Sequence, residues 1–225
     1  MTRVTAAAVL ALLGLIRPAP AWAQADALPG RFEIAAGVNW IGPVSFGSRD
    51  ANETTPTNGT ARLFSTSTTL AGAPAIDGRV GVRLTPSLMV EGEASLAQQD
   101  LRVEISNDVE AGSVSVTPVE RVEQFTVGGA VVWFVPTRAS RVRPFVAGGG
   151  GYLRQLHESA TLVVTGRYYQ VGGGLVYPLA SRSGAWLKTM GLRLEARALF
   201  RVDGVALDSS THVAPTAGAS FFLRF

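Results

Sequence analysis

The sequence contains no cysteine, which removes disulfides, thiolate metal centres and a cysteine nucleophile from consideration. It has two histidines, His157 and His212, and neither stands at a spacing from other ligand residues that suits zinc, so no metal and no cofactor is read from it. An excess of charge is also lacking: 20 Lys+Arg against 17 Asp+Glu give +3, and Arg3 and Arg17 fall in an N-terminal segment, leaving 18 against 17. That balance gives no sign of nucleic-acid binding. The glycine runs Gly148 to Gly151 and Gly172 to Gly174 are not followed by Gly-Lys-Ser/Thr, so the phosphate cradle is absent, as is a Gly-x-Ser-x-Gly elbow. The chain is nevertheless 47% hydrophobic and only 16% charged, so it must shield apolar surface from water.

Long apolar runs are missing too, with one exception at the start. Met1-Thr2-Arg3 forms a short basic region, Ala6 to Ile16 an apolar run, and Ala21-Trp22-Ala23 a small-x-small site. The run falls short of the ~20 residues that a spanning helix needs. Residues 1–23 therefore read as a secretory signal cleaved after Ala23, and 24–225 as one domain.

Beyond that segment the pattern has period two, the signature of strands with one apolar face. Eight segments alternate. Phe32, Ile34, Ala36, Val38 and Trp40 oppose Glu33 and Asn39; Val80 and Val82 oppose Asp77, Arg79 and Arg83; Leu88, Val90 and Leu96 oppose Met89, Glu91 and Glu93. Phe125 to Trp133 and Tyr169 to Tyr177 present apolar faces at odd positions. In the segment between them the reading places Phe145, Ala147 and Leu153 on the apolar face and Tyr152 and Arg154 on the other. Leu192, Leu194 and Phe200 alternate with Arg193, Glu195 and Arg197, and Phe221, Leu223 and Phe225 with Phe222 and Arg224.

Connections alternate in length: Thr85 to Ser87, Pro136 to Arg143 and Pro178 to Lys188 are short, whereas Pro43 to Pro74, Gln98 to Glu120, Gln155 to Gly166 and Asp203 to Thr211 are polar and mostly longer. The stretch from Ala61 to Leu70 could hold an additional pair of strands. An all-β, eight-stranded antiparallel up-and-down transmembrane β-barrel is expected, with short turns at one end and long loops at the other.

The ionic face decides which solvent the apolar face meets. In a membrane barrel Glu33, Asp77, Arg79, Arg83, Glu91, Glu93, Arg193, Glu195, Arg197 and Arg224 would fill the interior as a charge network; in a soluble sandwich they would be solvated outer faces. Aromatic spacing favours the membrane. Phe32 and Trp40, Phe125 and Trp133, and Tyr169 and Tyr177 are each eight positions apart, ~26 Å along a strand and roughly 20 Å along the membrane normal at ~40° tilt. These six, with Phe145 and Phe225 at the lower level and Phe200 at the upper, are expected to form aromatic girdles. Arg79 should stand directly across a hairpin from Glu93, with a charge partner there, and barrel closure should bring Glu33 to Arg224.

The end of the chain, Ala219-Ser220-Phe221-Phe222-Leu223-Arg224-Phe225, with the phrases Arg143 to Tyr152 and Val80 to Pro86, resembles small outer-membrane β-barrels of Gram-negative bacteria, of the OmpA/OmpX-type outer-membrane β-barrel domain group. That resemblance implies location in the bacterial outer membrane, contact with its lipid and lipopolysaccharide, and an assembly signal at Phe221, Leu223 and Phe225 read by the barrel-assembly machinery. The motifs specify a class of barrel and not an activity; the role expected of this chain is structural or surface-interaction, with polar loops available to an extracellular ligand, no open pore and no enzymatic activity. Passive transport of small or hydrophobic molecules is the alternative. His157-Glu158-Ser159 is similar to the His-x-Ser arrangement of an outer-membrane lipid A deacylase family, although an exposed polar loop explains it as well.

The small residues Ala21 and Ala23 predict Gln24 as the mature N-terminus. Mass spectrometry of outer-membrane fractions should find it, and an intact Met1 would refute the cleavage.

Overall fold

The computed structural model describes residues 30–55, 59–106, 119–137, 142–157, 163–182, 186–202 and 211–225. The proposed leader, its cleavage site at Ala21 and Ala23, and Ser159 lie outside the described residues. Ten strands follow in chain order: β1 (Phe32–Ile41), β2 (Val44–Thr55), β3 (Gly59–Leu70), β4 (Ala73–Arg83), β5 (Leu88–Ser106), β6 (Val119–Phe134), β7 (Arg143–His157), β8 (Val163–Ser181), β9 (Thr189–Val202) and β10 (His212–Arg224). Eight of them, β1, β4, β5, β6, β7, β8, β9 and β10, succeed one another round a closed antiparallel ring in which β10 pairs back onto β1. Closure leaves no edge among these eight at mid-height, which is what a hydrocarbon environment demands of a sheet.

The other two strands correct the reading of 43–74 as a loop. β2 and β3 form a hairpin that continues β1 and β4 upward, and β3 pairs with the far part of β5. Gln98 to Glu120 and Gln155 to Gly166 are likewise strand in their described parts, since β5 runs to Ser106, β6 starts at Val119, β7 reaches His157 and β8 starts at Val163. The 19 residues of β5 span ~60 Å, or roughly 45 Å along the ring axis at ~40° tilt, so at its loop end this strand projects beyond a ~30 Å hydrocarbon core.

Seven of the eight ring strands turn their faces as the alternation indicates; β7 is turned the other way. Phe145 is 2% exposed and Tyr152 68% exposed, with Ala147 and Leu153 inside and Arg154 outside. Phe145 therefore leaves the girdle set, and Arg154 the interior set. The cause lies in the register, because Phe134 pairs with Phe145 and both point inward at 6.0 Å between ring centroids. Phe32, Trp40, Phe125, Trp133, Tyr169 and Tyr177 are exposed on the outer surface, and Phe200 and Phe225 are partly exposed there.

The glycine runs Gly148 to Gly151 and Gly172 to Gly174 thin the inner face of β7 and β8. With Gly128 of β6 they make room for rings that point inward: a Cβ on Gly128 would lie 2.4 Å from the Tyr168 hydroxyl. A Cβ on Gly174 would meet the Phe145 ring at 2.8 Å. The wall formed by β6, β7 and β8 is thus thin inside, and long side chains from the opposite strands reach across it.

Two apolar layers fill the ring. Near the short turns Phe134, Phe145 and Phe222 pack with Ala35, Met89, Val132, Ala147 and Val176. Toward the loops Val44 and Phe46 of the hairpin meet Leu70, Leu101, Val122, Leu153, Tyr168 and Leu199. Phe145→Ala should cost about 3–5 kcal/mol in urea unfolding because it empties a packed site, whereas Tyr152→Ala on the outer face should cost much less. Equal losses would contradict the inward phase of β7.

Candidate functional site

Between the two apolar layers lies a belt of charge. Arg193, 1% exposed, grips Glu91 with both arms of its fork, Nη1 to Oε2 at 2.7 Å and Nη2 to Oε1 at 3.1 Å. Two inward positions further along β9, Arg197 donates to three carboxylates, Glu93 at 2.9 Å, Glu91 at 3.0 Å and Glu195 at 3.0 Å. Arg79 of β4 crosses the lumen to Glu195 with a second bidentate grip, 2.9 Å on one arm, and its Nη2 lies 2.8 Å from Asp77. Lower down, Arg224 donates through Nε to Glu33, its direct partner across the β1–β10 seam. All of this is buried, so each charge depends on its partners in place of water.

The ring residues around the belt complete it. Tyr168 donates its hydroxyl to Glu93 at 3.0 Å, and the Gln170 amide bonds the same oxygen. Neither was evident in the sequence, although both share the inward parity opposite Tyr169. Arg193 lies 4.3 Å from the centroid of Phe145 and Arg224 4.7 Å from that of Phe222, so the charged belt rests on the aromatic layer through cation–π contacts. Arg83 and Arg143 approach the Phe134 ring from the short-turn side. Toward the loops Gln155 donates to Gln124, and Arg201, 4% exposed, donates to Gln99. The packing leaves a cavity of about 50 Å³ beside Asp77, Arg79, Glu93, Tyr168, Gln170 and Glu195, room for a few water molecules and no more.

The structure brings every residue of the expected charge network into the ring, but it pairs them differently from the hairpin arithmetic. Arg79 is in register with Glu93 on β4 and β5, yet its ion pairs are with Glu195 and Asp77. Glu93 is bound by Arg197, from the far side of the lumen. The reason is reach: a direct cross-strand pair in a ring has side chains side by side, while an Arg spanning the lumen meets a carboxylate head-on with both arms. His157 is 2.9 Å through Nδ1 from Glu120, on the β6–β7 extension and away from the belt. Among the described residues no group of His, Asp or Glu is arranged to hold a metal ion.

No protein-family model and no curated protein matches the sequence. Among solved structures the chain is similar to Neisserial surface protein A, with 12% identity over 86% of this chain and 97% of that one and a TM-score of 0.55. The chain has the fold of a small outer-membrane β-barrel. It is also similar to the outer membrane protein OprG from Pseudomonas aeruginosa, at 12% identity, 87% and 96% coverage and a TM-score of 0.43. A further match is Ail, the attachment invasion locus protein of Yersinia pestis, solved with the heparin analogue sucrose octasulfate, at 9% identity, 85% and 99% coverage and a TM-score of 0.40.

A double-mutant cycle in urea distinguishes cross-lumen from cross-strand pairing. Arg79→Met with Glu195→Gln should show a coupling of ~1–3 kcal/mol, and Arg79→Met with Glu93→Gln less than ~0.5 kcal/mol. The reverse order would return the charge partner to the adjacent strand.

Proposed function

We propose that the protein is an integral outer-membrane β-barrel with a structural and surface-presenting role and without an open pore. The supporting observation is the packed lumen: a neutralising ion-pair belt held between two apolar layers, with a cavity of about 50 Å³ beside Asp77, Arg79, Glu93 and Glu195. Eight strands leave an interior just wide enough for side chains, and here those side chains are tied to one another across it. The exposed apolar surface between Phe32 and Trp40, Phe125 and Trp133, and Tyr169 and Tyr177 is the face that suits lipid, with these aromatics at its two borders.

In this reading the short turns face the periplasm and the extensions β2, β3 and the upper parts of β5 to β8 stand outside the cell, in contact with lipopolysaccharide and open to an extracellular ligand. The outward alternation Phe221, Leu223 and Phe225 serves as the assembly signal for the barrel-assembly machinery. The charge on the belt serves to fix the barrel's shape: removing one member of a buried pair leaves the survivor unpaired, at about 3–5 kcal/mol. Passive transport is the competing role, and it requires the belt to part.

Planar-bilayer recording of the refolded protein separates the two. A plugged barrel should give no regular conductance steps, and Arg197→Met, which takes one ion pair from each of Glu91, Glu93 and Glu195, should introduce leakage. Steady single-channel openings of the unaltered protein would put transport ahead of the structural role.

A further inference from the structure

The short-turn rim carries a row of cations whose order is set by main-chain hydrogen bonds. The Arg182 amide donates to the Lys188 carbonyl at 2.8 Å, the Lys188 amide to Arg224 at 2.8 Å, the Arg31 amide to Phe225 at 2.7 Å and the Arg83 amide to Arg31 at 2.8 Å. Arg182 thus stands beside Lys188, Lys188 beside Phe225, and Arg31 beside Arg83 across the seam from Phe225, so the cations are spread over successive strands from β8 round to β4, ~4.8 Å per strand, with Arg224 one position further in. Arg31 and Arg182 are exposed and Lys188 is half-buried, while Arg83 and Arg224 add charge from inside the ring. Segments 83–88, 135–137, 142–143, 181–182 and 186–189 contain no Asp or Glu. Glu33 points inward onto Arg224, and among the described residues of these segments no other carboxylate side chain offsets the row. The opposite end is mixed in sign, with Arg62 near Asp50 and His157 on Glu120.

In the middle of the row Trp186 stands 82% exposed, its ring 4.6 Å from that of Phe225. A tryptophan with an apolar body and a single N–H donor is suited to the border between acyl chains and headgroups, not to open water. Cations in a line beside such a ring match a line of phosphates.

We propose that this rim docks anionic phospholipid in the leaflet facing the short turns, with Arg31, Arg182 and Lys188 on the phosphates and Trp186 at the acyl border. The inference rests on the outer-membrane reading above. Cations near an anionic membrane surface each strengthen binding several-fold, so three give a clear preference over a zwitterionic lipid.

The test is native mass spectrometry of the folded full-length mature protein, released from vesicles of equal parts phosphatidylglycerol and phosphatidylethanolamine. Phosphatidylglycerol should be enriched on the order of tenfold among retained lipids. The triple variant Arg31→Gln, Arg182→Gln, Lys188→Gln should lose the enrichment while still migrating as a folded, heat-modifiable band. Arg102→Gln with Arg121→Gln, exposed at the loop end, should keep it. Equal retention of the two lipids, or enrichment that survives the triple change, would overturn the docking surface. A chain that fails to enter vesicles at all would instead overturn the membrane reading on which it depends.

Discussion

Arg197 is the residue on which the arrangement of the interior turns. Its guanidinium is shared among Glu91, Glu93 and Glu195, two of them on β5 and one on its own strand, and those carboxylates in turn hold Arg193 and Arg79. In a ring of eight strands the wall is fixed by main-chain hydrogen bonds, but its cross-section is not: a ring can flatten unless something spans it. Side chains from β4, β5 and β9 provide the span, and the glycines of β6 to β8 give them the depth to do so. The belt's energetics follow from burial. Each pair exchanges hydration for a charge-assisted contact, and the bidentate geometry is what keeps that exchange from being a net loss.

The layers above and below the belt complement it. Phe134, Phe145 and Phe222 offer ring faces to Arg83, Arg193 and Arg224, so the apolar layer at the short-turn end also stabilises cations. At the loop end Phe46 of the hairpin lies edge-on to His212 and closes the apolar cluster over the belt. A filled interior of this kind favours shape and surface over permeation. The same solution explains why the chain tolerates so much ionisable residue in so small a ring: contacts within a strand and across the β1–β10 seam are joined by contacts between strands that are not neighbours.

The alternation exposed most of this in the sequence because charges and large apolar residues rarely share a face on a strand that separates lipid from a polar lumen. Arg193, Glu195 and Arg197 against Leu192, Leu194 and Ala196 is the clearest instance. It failed on β7 for a physical reason. Gly148 to Gly151 carry no side chains to set the phase, and Phe145 is apolar because it serves as filler inside, the same chemistry that marks a lipid face outside. The hairpin of β2 and β3 showed only as a stretch, Ala61 to Leu70, that could hold an additional pair, because polar residues outnumber apolar ones in both strands and blur the alternation. Partner choice across the lumen was not legible at all. Register between neighbours follows from turn position, and it placed Arg79 opposite Glu93, but contacts across a ring depend on its radius and tilt.

The claim that the belt is fixed can be read directly from the guanidinium groups of Arg193 and Arg197 by NMR of the barrel in lipid discs. Held as described, their Nη–H protons should appear as separate resonances, with restricted rotation and slow exchange in deuterated water. A single averaged signal for each side chain, lost at once on transfer to deuterated water, would mean that these arginines are mobile and solvated and that the interior is a wet channel.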